Sequence, residues 1–243
     1  MSRRLIGGLA ACALITGAGA VSSFGAANTA VVSPILERFL AARESATIPY
    51  RALRHVEAQC EHFASNAWMD VWTEVDAAGA MQYSIAGEGG SNYIRSKIFR
   101  GVLDAERRAV NSGVASQSEI TLDNYAFDAA AAGAEEGLTS LAIKPKRKDV
   151  LLVDGLIFLT PADAALVRLQ GRLSKNPSFW VRRVEIIRHY KRVGGMSMPV
   201  ALESAANLLV AGRSTFKMTY DYESVNGKRV GTPQPRLVAS AQP

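Results

Sequence analysis

The sequence predicts an α+β fold: one curved antiparallel sheet of about nine to eleven strands, with helices packed on its concave face. Three observations predict it. From Tyr50 onward apolar residues recur mostly at every second position, the pattern of strands with one buried and one wet face. Short turns rich in Gly, Pro, Asp and Asn join consecutive runs, which makes a meander. Only two segments carry clear helical periodicity, too few to cross over between parallel strands but enough to cover one face.

Ser33-Pro34 opens the first helix, with Ser33 as N-cap and Pro34 at the first helical position, where its missing N–H costs nothing. Ile35, Leu36, Phe39 and Leu40 share a face, and Pro49 ends the segment. From Tyr50 the period becomes two: Tyr50, Ala52, Val56, Ala58 and Cys60 alternate with Arg51, His55, Glu57, Gln59 and Glu61. Leu53 and Arg54 break this alternation and leave the register open. Runs at 68–75 and 80–86 flank Asp76-Ala77-Ala78-Gly79 and read as a hairpin. Ser91 caps a second helix to about Val110, with Ile94, Ile98, Val102, Ala105 and Ala109 as its apolar stripe.

Strands follow at 120–127 and 138–143, separated by the alanine-rich 129–137, and at 150–160. Further strands occupy 165–173, 178–190 and 198–210. The cleanest is the last, where Phe216, Met218, Tyr220 and Tyr222 face one way and Thr215, Lys217, Thr219, Asp221 and Glu223 the other.

Composition narrows the function classes. Of 243 residues, 48% are hydrophobic and 21% charged, which excludes a disordered chain and a polytopic membrane protein. The net charge of +6 is below that of a dedicated nucleic-acid binder, and the aromatics lie on apolar faces; no nucleic-acid partner is expected. Arg3-Arg4, the apolar run 5–15 and Ala18-Gly19-Ala20 form the three regions of an export signal. The arginine pair fits a general secretory or a twin-arginine route. Cys12 in Leu9-Ala10-Ala11-Cys12 leaves a lipoprotein open, and an uncleaved anchor is the other alternative. The predicted organisation is a signal peptide over 1–30, a single domain over 31–231 and a disordered tail over 232–243.

Motifs of catalysis are missing: the chain has no G-x-S-x-G, H-E-x-x-H, C-x-x-C or phosphate-binding G-x-x-x-x-G-K. No catalytic residue, cofactor or metal is expected. His55, Cys60 and His62 are close in sequence, but His55 and Cys60 face opposite sides of a strand. Two clusters invite a binding reading. The stripe Phe216, Met218, Tyr220, Tyr222 is either packed core or the wall of an apolar cavity for acyl chains, where flexible Met and amphipathic Tyr tolerate varied ligands. Phe179 and Trp180 read similarly, as do Trp68 and Trp72, although Asp70 and Glu74 interleave with the latter pair and leave its side open. Lys144, Lys146, Arg147 and Lys148 form the strongest charge cluster, either a solvated turn or a contact for lipid headgroups or an acidic partner.

This order of elements resembles the LolA-like superfamily of outer-membrane lipoprotein-sorting proteins over about residues 33–226. The features that carry it are the initial helix running into Tyr50-Arg51-Ala52-Leu53, the Trp-containing hairpin and Lys144-Pro145-Lys146-Arg147-Lys148-Asp149 before the Val150 strand. The closing meander through Tyr220-Asp221-Tyr222 completes it. Asn176-Pro177-Ser178-Phe179-Trp180 and Met218-Thr219-Tyr220-Asp221-Tyr222 look like marks of an uncharacterised branch. The resemblance implies an unclosed β-barrel with a helical lid, a non-enzymatic binder of a lipid or acylated protein in the periplasm. It also implies an alternative, a module that senses or docks on an envelope protein.

Overall fold

A chain that finishes its first meander at one edge of a sheet and begins its second at the other must cross a face of that sheet. This crossing organises the molecule. The computed structural model describes residues 33–42, 48–61, 65–135, 137–177, 181–208 and 212–236. Eleven strands form one antiparallel sheet: β1 (Tyr50–Cys60), β2 (Ser65–Val75), β3 (Met81–Gly90), β4 (Tyr125–Glu135), β5 (Leu138–Pro145), β6 (Val153–Leu159), β7 (Leu166–Leu173), β8 (Val181–Val193), β9 (Met196–Leu208), β10 (Gly212–Val225) and β11 (Lys228–Arg229). Their order is β3-β2-β1-β10-β9-β8-β7-β6-β5-β4, with β11 beside β10. β3 and β4 are the two edges, so the barrel stays unclosed, and residues 91–124 carry the chain from one to the other across the concave face.

Two strands approach closely at β6–β7. Gly155 and Gly171 are register partners there, and a Cβ on Gly155 would lie 2.1 Å from the Gln170 carbonyl oxygen. Only paired glycines let the backbones approach so closely.

Among the described residues two helical segments cover the concave face, each over its own core. The first, α1 (Pro34–Ala41), buries Ile35, Leu36 and Phe39 against Leu141, Ile143, Ile157 and Leu169 of β5–β7. Its Arg38 donates to the carbonyls of Pro161 and Ala162, fixing the helix to the β6–β7 turn. The second is a π-helical turn, Ile94–Phe99, continuing into α2 (Arg100–Asn111). It packs on Val56, Met69, Val71 and Met218 of β1, β2 and β10.

Of the expected stripe Ile94 is buried and Ile98 packs in part, while Phe99 and Leu103, rather than Val102, Ala105 and Ala109, complete the buried face. The wider π turn advances fewer degrees per residue and rotates the face by one position. A second difference concerns 120–124, expected as strand. Asn124 donates to the carbonyls of Ser116 and Glu119 and holds this stretch as a loop, so β4 begins only at Tyr125 and takes in alanine-rich residues expected to separate two strands. The expected signal peptide lies outside the described residues. No helix among them is long and apolar enough to cross a membrane.

Candidate functional site

Strand parity places each candidate. On the even positions of β1 the concave face carries Tyr50, Ala52, Arg54, Val56 and Ala58. Their partners on β10 are, in register, Tyr222 for Ala52, Tyr220 for Arg54, Met218 for Val56 and Phe216 for Ala58. The expected stripe therefore faces the helices as one row, but its two ends differ. Met218 and Phe216 lie under Phe99, whose ring meets Phe216 edge-on at 6.1 Å, in an apolar cluster. Tyr222 is buried in a third apolar cluster with Ala52, Met198 and Val225, and Tyr220, which packs on both clusters, also borders a polar seam.

Arg54 builds that seam. Its side chain is fully buried, and its guanidinium grips Glu106 of α2: Nη1 donates to Oε2 at 2.5 Å and Nη2 to Oε1 at 3.1 Å. Nη2 also donates to the Tyr50 hydroxyl at 2.7 Å, and the cation sits 4.8 Å from the centre of the Tyr220 ring. Burial works most strongly against the charge on Arg54, yet Glu106, Tyr220 and Tyr50 together outweigh it and hold the guanidinium protonated well above the ordinary arginine range. Tyr220 stacks on Tyr222 at 6.2 Å, and the Tyr222 hydroxyl donates to the Pro199 carbonyl at 2.6 Å. Burial raises the Tyr50 and Tyr222 hydroxyls and pushes Tyr220 up to about 12, with Arg54 opposing each shift.

Across the seam stands Arg188 of β8, in register with Leu202 of β9 and Leu169 of β7 and so on the same concave face. It hydrogen-bonds Tyr190, which holds it in the charged form. Further polar ties hold the helical segment: Tyr83 donates to Asp104 at 2.8 Å, and Arg95 and Arg100 both pair with Glu88 of β3.

The other candidates do not join this site. Trp68 and Trp72 pair in register with Glu57 and Leu53, which puts them on the outer face. Trp68 lies over Gly89, and the Arg236 guanidinium covers it at 5.7 Å. Arg236 also pairs with Glu57 at 2.8 Å, and its backbone N–H donates to the fully buried Asp70 at 2.5 Å. Residues 232–236, expected as the start of a disordered tail, thus run as a strap from β10, where Val230 bonds Glu223, across β1 to β2. Beneath that path His55 bridges Asp70 (2.8 Å) and Asp221 (3.1 Å), with carboxylates facing both ring nitrogens. Phe179 and Trp180 lie outside the described residues.

In the basic cluster Arg147 is a brace, donating to Asn124 at 2.6 Å and to the Gln117 carbonyl at 2.7 Å, while Lys144, Lys146 and Lys148 are exposed. An open hollow of about 440 Å³ lies on the outer face too, among Glu57, Glu185, Glu203, Arg213 and Lys217.

The sequence reading missed Arg54, Glu106 and Arg188. For the arginines a signal existed: each occupies a core-parity position of its strand, Arg54 between Ala52 and Val56, Arg188 between Ile186 and Tyr190. Glu106 had none, because the π turn displaces the helical face.

No family model matches the sequence, and no curated protein does. Two solved structures share its general layout. One is a LolA superfamily protein, NE2245 from Nitrosomonas europaea, with 8% identity and a TM-score of 0.37 over 82% of this chain and 93% of that one. The other is a DUF1329 family protein from Desulfovibrio piger, with 8% identity and a TM-score of 0.39 over 77% of this chain and 91% of that one. Both likenesses concern the fold alone.

Proposed function

We propose that the protein is a non-enzymatic binding protein of the cell envelope, exported by the signal at 1–30. Its concave face takes an acyl chain of a lipid or lipidated protein beneath the 94–111 helix. The observation that carries this reading is how lightly that helix is attached. It buries Ile94, Phe99 and Leu103 and packs Ile98 in part, and its other ties to the sheet are polar.

Three such side chains contribute about 5–9 kcal/mol when covered. A sixteen-carbon chain that took their place would gain roughly 12 kcal/mol at about 0.8 kcal/mol per methylene. Displacing the helix also parts Glu106 from the buried Arg54, about 3 kcal/mol more. Helix and chain are therefore of similar worth, and exchange is feasible on a sheet already apolar at Val56, Met69, Val71 and Met218. The exposed Lys144, Lys146 and Lys148 would meet lipid headgroups or an acidic partner at the edge of the sheet. A part in outer-membrane lipoprotein sorting is the role the resemblance suggests.

The test is purification without detergent, followed by mass spectrometry of extracted lipid and titration with a pyrene-labelled fatty acid. Co-purified lipid or saturable micromolar binding supports the reading. A protein that carries no lipid and takes up no probe contradicts it. The charged hollow on the outer face favours the second reading, a docking module for an envelope protein. Crosslinking to a single partner independent of lipid would select it.

A further inference from the structure

The charges of the seam do not balance. Arg54 and Arg188 supply two cations to one concave stretch, and both feel the same carboxylate, Glu106. Glu106 is spent on Arg54, which it holds through both of its oxygens. Arg188 has no carboxylate partner of its own among the described residues; its hydrogen-bond partner is the Tyr190 hydroxyl. The Nε of Arg54 is also buried with no hydrogen-bond partner among them. A partly buried guanidinium without a counter-charge of its own is costly.

Its place in the fold suggests the use. Arg188 stands where the two helix-covered halves meet: Ile186 and Tyr190 beside it pack toward the core under α1, while Leu202 opposite packs toward the core under the 94–111 helix. The middle strands there are only partly covered, so the seam is reachable from solvent while each side of it is apolar. Phenol groups of Tyr190 and Tyr220 supply hydrogen-bonding hydroxyls around the cation.

We infer that Arg188, with Tyr190 and Tyr220, is a binding site for the oxyanion headgroup, carboxylate or phosphate, of the amphiphile whose chain enters beneath the helix. This rests on the acyl-chain reading above and adds to it the charge of the ligand. Guanidinium and phenol donors match a planar carboxylate or a phosphate, whereas a neutral ester or alcohol offers no charge to offset Arg188.

Titration of the full chain with pyrene-dodecanoic acid and its methyl ester tests this, in wild type, Arg188→Gln and Arg188→Lys. The expected result is at least tenfold tighter binding of the acid by wild type. Arg188→Gln loses that preference with unchanged ester affinity, and Arg188→Lys regains part of it. Monododecyl phosphate displaces the acid and identifies a phosphate-tolerant site; displacement by inorganic phosphate at the same concentration would show an anion site independent of the chain and overturn the coupling. Equal affinity for acid and ester in wild type, or a preference that survives Arg188→Gln, overturns the headgroup site while leaving the acyl-chain reading intact. Failure of both probes overturns both. Circular dichroism of the variants separates loss of site from loss of fold.

Discussion

Neutralising Glu106 while keeping Arg54 would strand a fully buried guanidinium, and the cost follows from the geometry. Removing one partner of a buried ion pair costs about 3–5 kcal/mol. Here the low end applies: the Glu106 side chain is 35% exposed, and Arg54 keeps its bond to the Tyr50 hydroxyl. Glu106→Gln should therefore destabilise by about 3 kcal/mol, which for a domain of this size lowers Tm by roughly 6–12 °C. Arg54→Met has a different cost. It replaces the buried charge with an apolar side chain and leaves Glu106 able to turn to water, so the loss should be at most about 1 kcal/mol. The double variant should resemble Arg54→Met alone, because Glu106→Gln is harmful only while the cation is present. Thermal unfolding of the four proteins, followed by circular dichroism, measures this cycle. Equal losses for the two single variants, adding up in the double, would refute a buried pair between sheet and helix.

Other consequences are simpler to state. Tyr220 keeps its proton to about 12 when folded, above the ordinary phenol value of 10.0, so it does not affect stability below the ordinary value. As pH rises between these two values the unfolded chain ionises first, and up to about 3 kcal/mol of stability is lost. Urea unfolding of Tyr220→Phe should fall less steeply with alkaline pH than wild type; parallel curves would contradict the burial of Tyr220. Phe99→Ala removes the central apolar contact of the helix and should cost about 3–5 kcal/mol, measured by urea unfolding. Gly155→Ala would force a methyl against the Gln170 backbone and cost about 1–3 kcal/mol or more; a neutral result would deny the close approach of β6 and β7. Arg236→Ala should leave Tm within a few degrees yet increase acrylamide quenching of Trp68 fluorescence, since the guanidinium covers that ring.

Much of the fold is legible in the sequence because an antiparallel sheet writes itself residue by residue. The alternation of Phe216, Met218, Tyr220 and Tyr222 against Lys217, Thr219 and Asp221 survives intact in β10. The site is legible in a different sense: it lies where the pattern breaks. Arg54 interrupts the first strand because it is the residue that receives α2, and Arg188 looks like one more surface cation until its neighbours Ile186 and Tyr190 turn out to face inward. Glu106 is hidden for a local reason, the π turn that shifts the buried face from Ile98 to Phe99. Trp68 and Trp72 mislead because a face opposite the helices can also be covered; the strap ending at Arg236 does this with too few residues to show a period. A charge placed at Tyr220 illustrates the difference. The stripe alone implies that Tyr220→Asp strikes an apolar face, whereas in the seam the new carboxylate would meet Arg54 and Arg188.

Displacement of the helix by the ligand is the central claim, and amide hydrogen exchange of the full chain tests it most directly. With saturating pyrene-dodecanoic acid, amides in 94–111 should exchange faster while those of α1 and of β5–β7 keep their protection. Bound probe with unchanged or slower exchange across 94–111 would contradict the account, since the acyl chain would then lie somewhere other than beneath that helix.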